Sequence, residues 1–200
     1  MAGRFDTIRT ERLLMRRWRE ADRDPYAAMN ADPEVMRYFP AHLRPDRASS
    51  DAGIDRIDRM EALFDRQGFG LWALELAGTG EFLGFTGLNP MPEGVPGAGG
   101  MEVGWRLARH AGHHGYATEA ARAALTVAFD DAGLTGIWSM TAVLNEPSQA
   151  VMRRATSNVP GSSNRRGSRF AAPFSTMTVV PAGISPRRRK PGSATGGSPP

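Results

Sequence analysis

The sequence has no cysteine among its 200 residues. Without thiols the chain forms no disulfide and offers no thiolate to a zinc ion or an iron–sulfur cluster. The composition therefore gives no reason to place the protein in an oxidising compartment, and a cytoplasmic location is the simplest expectation.

Long hydrophobic runs are missing as well. The first residues, MAGRFDTIRTERLLMRRW, lack the continuous apolar core of a signal peptide. No later window approaches the roughly 18 apolar residues that a membrane span needs. We expect a soluble chain with no membrane partner, long enough for one domain or for one domain with a tail.

Acidic residues are absent from residues 155–200, although the sequence contains 21 Asp and Glu. This segment holds seven of the 25 Lys and Arg, so residues 1–154 carry 18 basic and 21 acidic side chains, a net charge of −3. It also has 7 Pro, 6 Gly and 8 Ser, with FSTMTVV as its one apolar run. Because such a composition buries little apolar surface, we predict a folded domain over 1–154 and a basic, disordered tail over 155–200.

Apolar spacing divides residues 1–154 into strands and helices of an α+β domain. Strands are predicted at 10–18, in FGLWALEL and EFLGFTGL with the turn AGTGE between them, at 101–107 and in GIWSMTAVL. Helices are predicted within 20–39, within 45–68 with Gly68 as the stop, at 116–132 and from Pro147. Gly104, inside a strand pattern, predicts a bulge or a close backbone approach.

The stretch RHAGHHGYATEA, residues 109–120, joins the strand that ends near Leu107 to the helix that begins near Tyr116. A loop entering a helix presents unpaired N–H groups at the positive end of the helix dipole, where an anion binds. Gly112 and Gly115 allow the backbone to turn tightly and to approach a ligand. We interpret the loop as a cradle for phosphate, with a plain capped turn as the alternative.

The adjacent histidines of this loop also raise the question of a metal site. His113 and His114 point apart in a strand-to-helix turn, and no cysteine is available to join them. We therefore expect no metal.

Seven segments, taken in order and spacing, resemble the RimJ/RimL-like branch of the GNAT acetyltransferases. They are TERLLMRRW, DPEVMRYF, GFGLWALE, GEFLGFTGL, MEVGWRLARHA, GYATEAARAAL and NEPSQAVMRR, and they span about residue 8 to residue 154. The resemblance implies a mixed, mostly antiparallel sheet that is flanked by helices and splayed between its fourth and fifth strands. Acetyl-CoA, as co-substrate, would lie in the splay.

The resemblance also assigns the contacts to acetyl-CoA. The strand backbone would pair with the pantetheine arm and donate N–H groups to the carbonyl oxygen, the loop would hold the pyrophosphate, and Asn145 would bind the pantetheine. The strand residues are Trp105, Arg106 and Leu107, and the loop residues are His113, His114, Gly115, Tyr116 and Ala117.

One position departs from the family pattern. Family members usually have tryptophan, glycine, any residue and glycine before YATEA, whereas residues 112–115 here read GHHG. His113 therefore stands where the family has glycine. If that position needs a positive φ, histidine costs on the order of 1 kcal/mol or more.

Two side chains are candidates for the proton transfers. Glu102, opposite Val103 and Trp105 on its strand, would deprotonate the amine through a water, since a carboxylate of ordinary pKa is a weak base. By the resemblance, Ser148 in NEPS would give a proton to the departing thiolate. The alternatives are a solvated strand glutamate and ordinary helix caps at Asn145 and Ser148.

The resemblance implies an N-acetyltransferase that moves acetyl from acetyl-CoA to a primary amine by direct attack on the thioester. The acceptor would be a small molecule or a protein N-terminus, and the enzyme a monomer or a homodimer. A catalytically impaired acyl-CoA-binding protein is the alternative. A nucleic-acid-binding module that uses the basic tail is less favoured, because a charge run is usually only solvated.

The tail does not follow the family. Members continue after the position of Arg154 with a glycine turn and two strands, whereas this chain continues with ATSNVPGSSNRRGSRFAAPF. The 24 arginines against a single lysine, Lys190, indicate a GC-rich gene. We hypothesise that the residues from about 155 onward are a frameshift product or a diverged terminus, in which case the last two strands are missing.

Overall fold

The computed structural model describes residues 3, 5–39, 50–95, 97–157, 163–166 and 176–181. The first elements along the chain are β1 (Thr7–Arg9), β2 (Leu13–Arg16), α1 (Arg23–Ala31), α2 (Ser50–Gln67), β3 (Leu71–Leu76) and β4 (Phe82–Pro90). They are followed by β5 (Met101–Leu107), α3 (Tyr116–Thr126), β6 (Gly136–Thr141), α4 (Glu146–Thr156), β7 (Ser163–Arg166) and β8 (Thr176–Pro181). No helix within these ranges is long and apolar enough to span a membrane.

The eight strands form one sheet in the order β1-β2-β3-β4-β5-β6-β8-β7. Neighbours are antiparallel except β5 and β6, which are parallel and register at the single pair Glu102 and Trp138. By contrast, β4 and β5 pair along the whole of β5. The sheet therefore splays between β5 and β6, which confirms the predicted mixed, mostly antiparallel α+β fold and its splay.

The strand numbers shift by one because β1, at residues 7–9, precedes the predicted strand at 10–18, which contains only β2 and forms a hairpin with β1. The backbone N–H of Thr10 donates to the carbonyl of Leu13 over 3.0 Å, and the N–H of Leu13 donates to Oγ1 of Thr10 over 3.0 Å. A threonine hydroxyl that bonds to nearby backbone competes with a continuous ladder. The chain consequently turns at residues 10–12, and β1 lies before the predicted strand.

The sheet separates two apolar layers. On one face α3 packs through its small side chains, of which Ala120, Ala121 and Ala124 have no exposed area, against Trp72 and Leu74 among others. The other layer contains Trp18, Tyr26, Met29, Ile57, Met60, Ala73 and Phe85, contributed in large part by α1 and α2. Strand alternation explains the division, since Ala73 lies between Trp72 and Leu74. Side chains of neighbouring β5 residues accordingly enter different layers.

A closed polar cluster holds β2 to β3. Arg16 is 5% exposed, and its two terminal nitrogens contact the carboxylate of Asp22 at 2.7 and 2.8 Å. Its Nε donates to Oε2 of Glu75 at 2.6 Å. The hydrogen bond to Asp22 is the largest influence on the pKa of Arg16, which is raised despite desolvation. The buried cation thus has carboxylate partners along both edges of its guanidinium.

The helix predicted at 116–132 is confirmed, with a change of winding near its end. From residue 127 to residue 131 it continues as one turn of π-helix. Gly133, with φ +68°, follows as the left-handed residue that a helix end favours.

The structure differs from the expectation of missing final strands. β8, inside the apolar run FSTMTVV and the residue that follows it, pairs with all six residues of β6, and β7 pairs with β8. Pairing with β8 covers an edge that β6 would otherwise expose. The predicted disordered tail over 155–200, with its proposed nucleic-acid binding, falls largely on residues 158–162, 167–175 and 182–200, which lie outside the described residues.

Candidate active site

A cleft of about 1410 Å³ opens where β5 and β6 diverge. It is larger than the roughly 300–1,000 Å³ of pockets for drug-sized ligands, and so suits a long ligand. The end of β5 and the end of β6 line it, together with the turn at residues 10–12, residues 34–39 and the first residues of α3 and α4.

Five consecutive backbone N–H groups, from His113 to Ala117, point to an anion site in this cleft. In the described part of the chain none of the five donates to a protein acceptor; the first intrahelical bonds come from Thr118 and Glu119, to the carbonyl of Gly115. These groups lie at the positive end of the α3 dipole, and residues 113–115 are exposed. The loop thus has the donors that a phosphate group requires.

His113 has the positive φ that we considered for its position from the sequence. Its φ is +64°, which makes it the one non-glycine residue with a positive φ in the described ranges. A left-handed residue with a side chain is strained by roughly 1 kcal/mol relative to glycine. The loop therefore forms with histidine at this position, at an energetic cost.

Glu119 and Arg12 anchor the loop from the far end of the sequence. Arg12 bonds to Glu119 through its backbone N–H (2.9 Å) and its Nε (2.7 Å), and Thr10 donates to the same carboxylate at 2.6 Å. Arg12 Nη1 also donates to the carbonyl of His114 at 2.9 Å. Burial alone would raise the pKa of Glu119, but the hydrogen bonds from Thr10 and Arg12 outweigh it and lower the pKa.

The anchor also includes aromatic packing. The guanidinium of Arg12 lies 4.8 Å from the ring centre of Tyr116, and the ring of His114 stacks on Tyr116 with 5.4 Å between centres. Glu119, an acidic residue in the first turn of α3, therefore does more than complement the helix dipole. The role of Arg12 could not be predicted from the sequence, because its partner is 107 residues away.

The β5 edge that faces β6 is open beyond Glu102, since no further pair joins the two strands. The backbone of Trp105, Arg106 and Leu107 borders the cleft there and leaves room for an extended amide-bearing ligand. Gly104 is not a bulge, because it pairs in regular register with Gly87. A Cβ added at Gly104 would meet nothing within 4 Å, so space remains in front of it.

Glu102 lies on β5 but outside the lining of the cleft. Burial is the main influence on its carboxyl group and raises its pKa, against a 3.4 Å hydrogen bond from Nδ2 of Asn89. From the sequence we expected an ordinary pKa for Glu102, but its pKa is raised. The carboxylate is therefore a stronger base than a solvated one.

Asn145 and Ser148 both line the cleft at the start of α4. Oδ1 of Asn145 accepts a hydrogen bond from the backbone N–H of Ser148 over 3.1 Å, so the asparagine caps the helix. Capping uses only the oxygen of the side-chain amide and leaves the Nδ2 hydrogens for a ligand. The structure thus brings both residues to the cleft, and the cap that we weighed as an alternative is present too.

Residues 12–156 match the model of the acetyltransferase (GNAT) domain. The chain belongs to the GNAT acetyltransferase family. It is an acetyl-CoA-dependent N-acetyltransferase, a class that transfers acetyl to amines.

The chain is also similar to a bacterial relative and to a solved acetyltransferase structure. The uncharacterised protein YkkB of Bacillus subtilis strain 168 is 32% identical over 123 residues, which are 61% of this chain and 67% of YkkB. The crystal structure of an acetyltransferase from Agrobacterium tumefaciens C58 has a TM-score of 0.68 at 28% identity and covers 86% of this chain and 92% of its own.

A third match is to the fold alone. RimL, a ribosomal L7/L12 α-N-protein acetyltransferase solved with coenzyme A, has a TM-score of 0.67 at 14% identity, over 90% of this GNAT chain and 99% of RimL.

Proposed function

We propose that this GNAT chain binds acetyl-CoA with its pyrophosphate on residues 113–117 and its pantetheine along β5, and transfers the acetyl group to a primary amine by direct attack on the thioester. The row of five N–H groups, which have no acceptor among the described residues and line a large cleft, is the observation that carries the proposal. A diphosphate followed by an extended amide arm matches the donors of the loop and the open edge of β5, in that order.

In the reaction the amine nitrogen forms a bond to the carbonyl carbon and the carbon–sulfur bond breaks. Backbone N–H groups of Trp105 to Leu107 stabilise the negative charge on the carbonyl oxygen, since fixed dipoles need no reorganisation. The products are an amide and the CoA thiol.

Two protons move during these steps. Glu102 takes one from the amine through a water, and its raised pKa brings the base closer to neutral pH. Ser148 gives one to the sulfur and regains a proton from solvent; its hydroxyl makes no hydrogen bond within the described part of the chain. Asn145 holds the pantetheine through its Nδ2.

We place the chain in the RimJ/RimL-like branch because of the seven segments that resemble it. Structural similarity to RimL at 14% identity supports the fold alone, so the acceptor is proposed only as a protein N-terminus or a small amine. The frameshift hypothesis for the C-terminus stays a prediction. Sequencing the gene tests it: a single-base shift that restores a glycine turn and two strands would support it, and the absence of one would refute it.

Equilibrium binding of acetyl-CoA, followed by thiol release with a panel of primary amines, tests the function. We expect binding and turnover with at least one amine. Absence of both would refute the proposal, whereas binding without turnover would favour the impaired acyl-CoA binder.

A variant of the loop tests the phosphate site. Ala117→Pro removes one of the five N–H donors, and proline is tolerated in the first turn of a helix. We expect acetyl-CoA to bind roughly tenfold more weakly, by analogy with a lost charge-assisted hydrogen bond. Ala117→Ser keeps the N–H and is the matched control; equal weakening in both variants would contradict the role of the N–H group.

A further inference from the structure

Arg106 is a buried cation without a carboxylate partner in the described residues. Arg106 is 9% exposed, and its one hydrogen bond within the described residues, from Nη1, goes to the neutral Oδ1 of Asn30. Its Nε is buried and donates to no acceptor there. A desolvated charge that lacks a counter-charge is costly, and natural structures seldom keep one without a reason.

The surroundings of Arg106 compensate for that cost only in part. Burial is the main cause that lowers the pKa of Arg106 to about 10, and the positive charge of Arg56 acts in the same direction. The guanidinium lies 4.2 Å from the ring centre of Phe39 and 5.6 Å from that of Phe85, contacts that stabilise a cation. Arg106 therefore stays charged at neutral pH, held between aromatic rings.

The free part of the guanidinium has the shape of a carboxylate receptor. With Nη1 bonded to Asn30, the Nε and Nη2 edge makes no hydrogen bond to the described chain. Two parallel N–H groups along one edge bind the two oxygens of a carboxylate in a bidentate pair. Arg106 also lines the large cleft, so a ligand in the cleft can contact this residue.

This edge is separated from the loop that would hold the pyrophosphate. Val103 belongs to the apolar layer under α3, and Trp105 and Leu107 pack against that layer. Arg106 contacts Asn30 of α1 and Phe85 of the opposite layer. A carboxylate at Arg106 therefore belongs to the second substrate and not to CoA.

The same face of β5 contains the proposed base and an open space. Glu102, Gly104 and Arg106 alternate along this face, and a Cβ at Gly104 would meet nothing within 4 Å. Gly104 lies two residues, or about 7 Å along the strand, from Arg106. An amine in front of Gly104 and an anion at Arg106 are thus within the span of one small molecule.

We infer that the acceptor is a small amine that carries a carboxylate, and that Arg106 binds this carboxylate while the amine approaches the thioester in front of Gly104. The inference rests on the proposed acetyl transfer and narrows its acceptor class. Arg106 is then a specificity-determining residue, because an amine that lacks a carboxylate leaves the Nε and Nη2 groups of Arg106 unpaired.

The first test uses the unmodified full chain. Pairs of small primary amines that differ only in a carboxylate or a carboxamide at one position are compared by kcat/KM in the thiol-release assay. We expect the carboxylate member of the best pair to be preferred at least tenfold. Equal rates for both members would overturn the inference and leave acetyl transfer intact, whereas no thiol release with any amine would refute the proposed function itself.

Variants then locate the preference. Arg106→Met should abolish the preference for the carboxylate member, mainly by raising its KM. The affinity for CoA should stay within about twofold. Arg106→Lys, which keeps the charge but not the fork, should retain part of it. Arg59→Met, at an exposed position of α2, is the matched control and should keep all of it. A preference that survives in Arg106→Met would overturn the role of Arg106.

Two further acceptors complete the test. Phosphorylated small amines distinguish a phosphate receptor from a carboxylate receptor, and peptides with an acidic second residue distinguish a protein substrate from a small one. Higher kcat/KM for either class than for the best amino carboxylate would overturn the acceptor class that we infer. Should Arg106→Met fail to fold, the acid and amide comparison on the native chain together with Arg106→Lys still decides.

Discussion

Two buried arginines on this sheet have opposite surroundings. Arg16, between β2 and β3, is 5% exposed and has Asp22 and Glu75 along its two edges. Arg106, on β5, is 9% exposed and has one neutral partner in the described part of the chain. The pKa of Arg16 is raised, chiefly by its hydrogen bond to Asp22, whereas burial lowers that of Arg106 to about 10. Arg16, whose charge is paired with two carboxylates, stabilises the fold. The charge of Arg106 has no such partner among the described residues, which is the basis for assigning it a ligand.

The contrast extends to the rest of the two regions. On β5 and in the loop after it, Glu102 is desolvated and His113 has a positive φ. Around Arg16 the polar groups have partners, down to the N–H of Arg19, which donates to Asp22 at 2.8 Å. Departures from local preference therefore collect on β5 and the loop after it, as expected of a functional site.

The largest effect is expected from opening the closed cluster. Arg16→Met leaves two buried carboxylates without their cation, and we expect the free energy of unfolding to fall by about 3–5 kcal/mol. Urea titration measures the change. Arg59→Met, on the exposed side of α2, should stay within about 0.5 kcal/mol; a similarly small loss in Arg16→Met would mean that the cluster does not hold the fold.

Glu102 tests whether the desolvated group in the cleft region serves catalysis. Glu102→Gln should lower kcat/KM about 100-fold with little loss of acetyl-CoA binding, the usual size of a general-base effect. Glu93→Gln, at an exposed loop position, is the control. Unchanged kcat/KM in Glu102→Gln would reduce Glu102 to a structural residue.

The pH dependence gives a second measurement on Glu102. Since burial raises its pKa, the base forms only above that raised value, and kcat/KM should fall as pH drops through it. The sign for stability is opposite: the stability associated with the raised pKa is complete below the ordinary pKa of glutamate and is lost as pH rises through the folded one. Glu102→Gln should flatten both the pH profile of kcat/KM and that of the free energy of unfolding. If kcat/KM of the variant still falls at low pH as in the unmodified chain, another group is responsible for that fall.

The loop anchor should have an intermediate effect. Arg12→Met removes the bonds to Glu119 and to the carbonyl of His114, so the N–H row loses part of its preorganisation. We expect the Kd for acetyl-CoA to rise roughly tenfold, by analogy with one lost charged hydrogen bond. Arg9→Met on exposed β1 should leave the Kd unchanged. Equal Kd values for the two variants would separate the anchor from CoA binding.

His113 should give the smallest effect. His113→Gly relieves the positive φ and should raise the free energy of unfolding by about 1 kcal/mol or less. His114 has no positive φ, so His114→Gly should lower the free energy of unfolding instead. Differential scanning calorimetry separates the two; a loss of stability in both would show that His113 is not strained.

Periodicity and turn residues were enough to predict β3, β4, β5, α3 and the glycine loop, because those signals are local. β1, which precedes the predicted strand at 10–18, and the turn that joins it to β2 were missed, since the turn depends on the hydroxyl of Thr10. The contact of Arg12 with Glu119 and the unpaired edge of Arg106 could not be predicted from the sequence, because each depends on residues far away along the chain. β8 was missed because the composition of the tail outweighed a single apolar run.

The central claim is that β5 and its loop serve ligands while the Arg16 cluster serves the fold. The free energy of unfolding of Arg106→Met, without any ligand, tests it most directly. Removing an uncompensated buried charge offsets the lost bond to Asn30, so we predict a change within about 1 kcal/mol of the unmodified chain. A loss of about 3 kcal/mol or more, comparable with that of Arg16→Met, would contradict the claim and make Arg106 a structural residue.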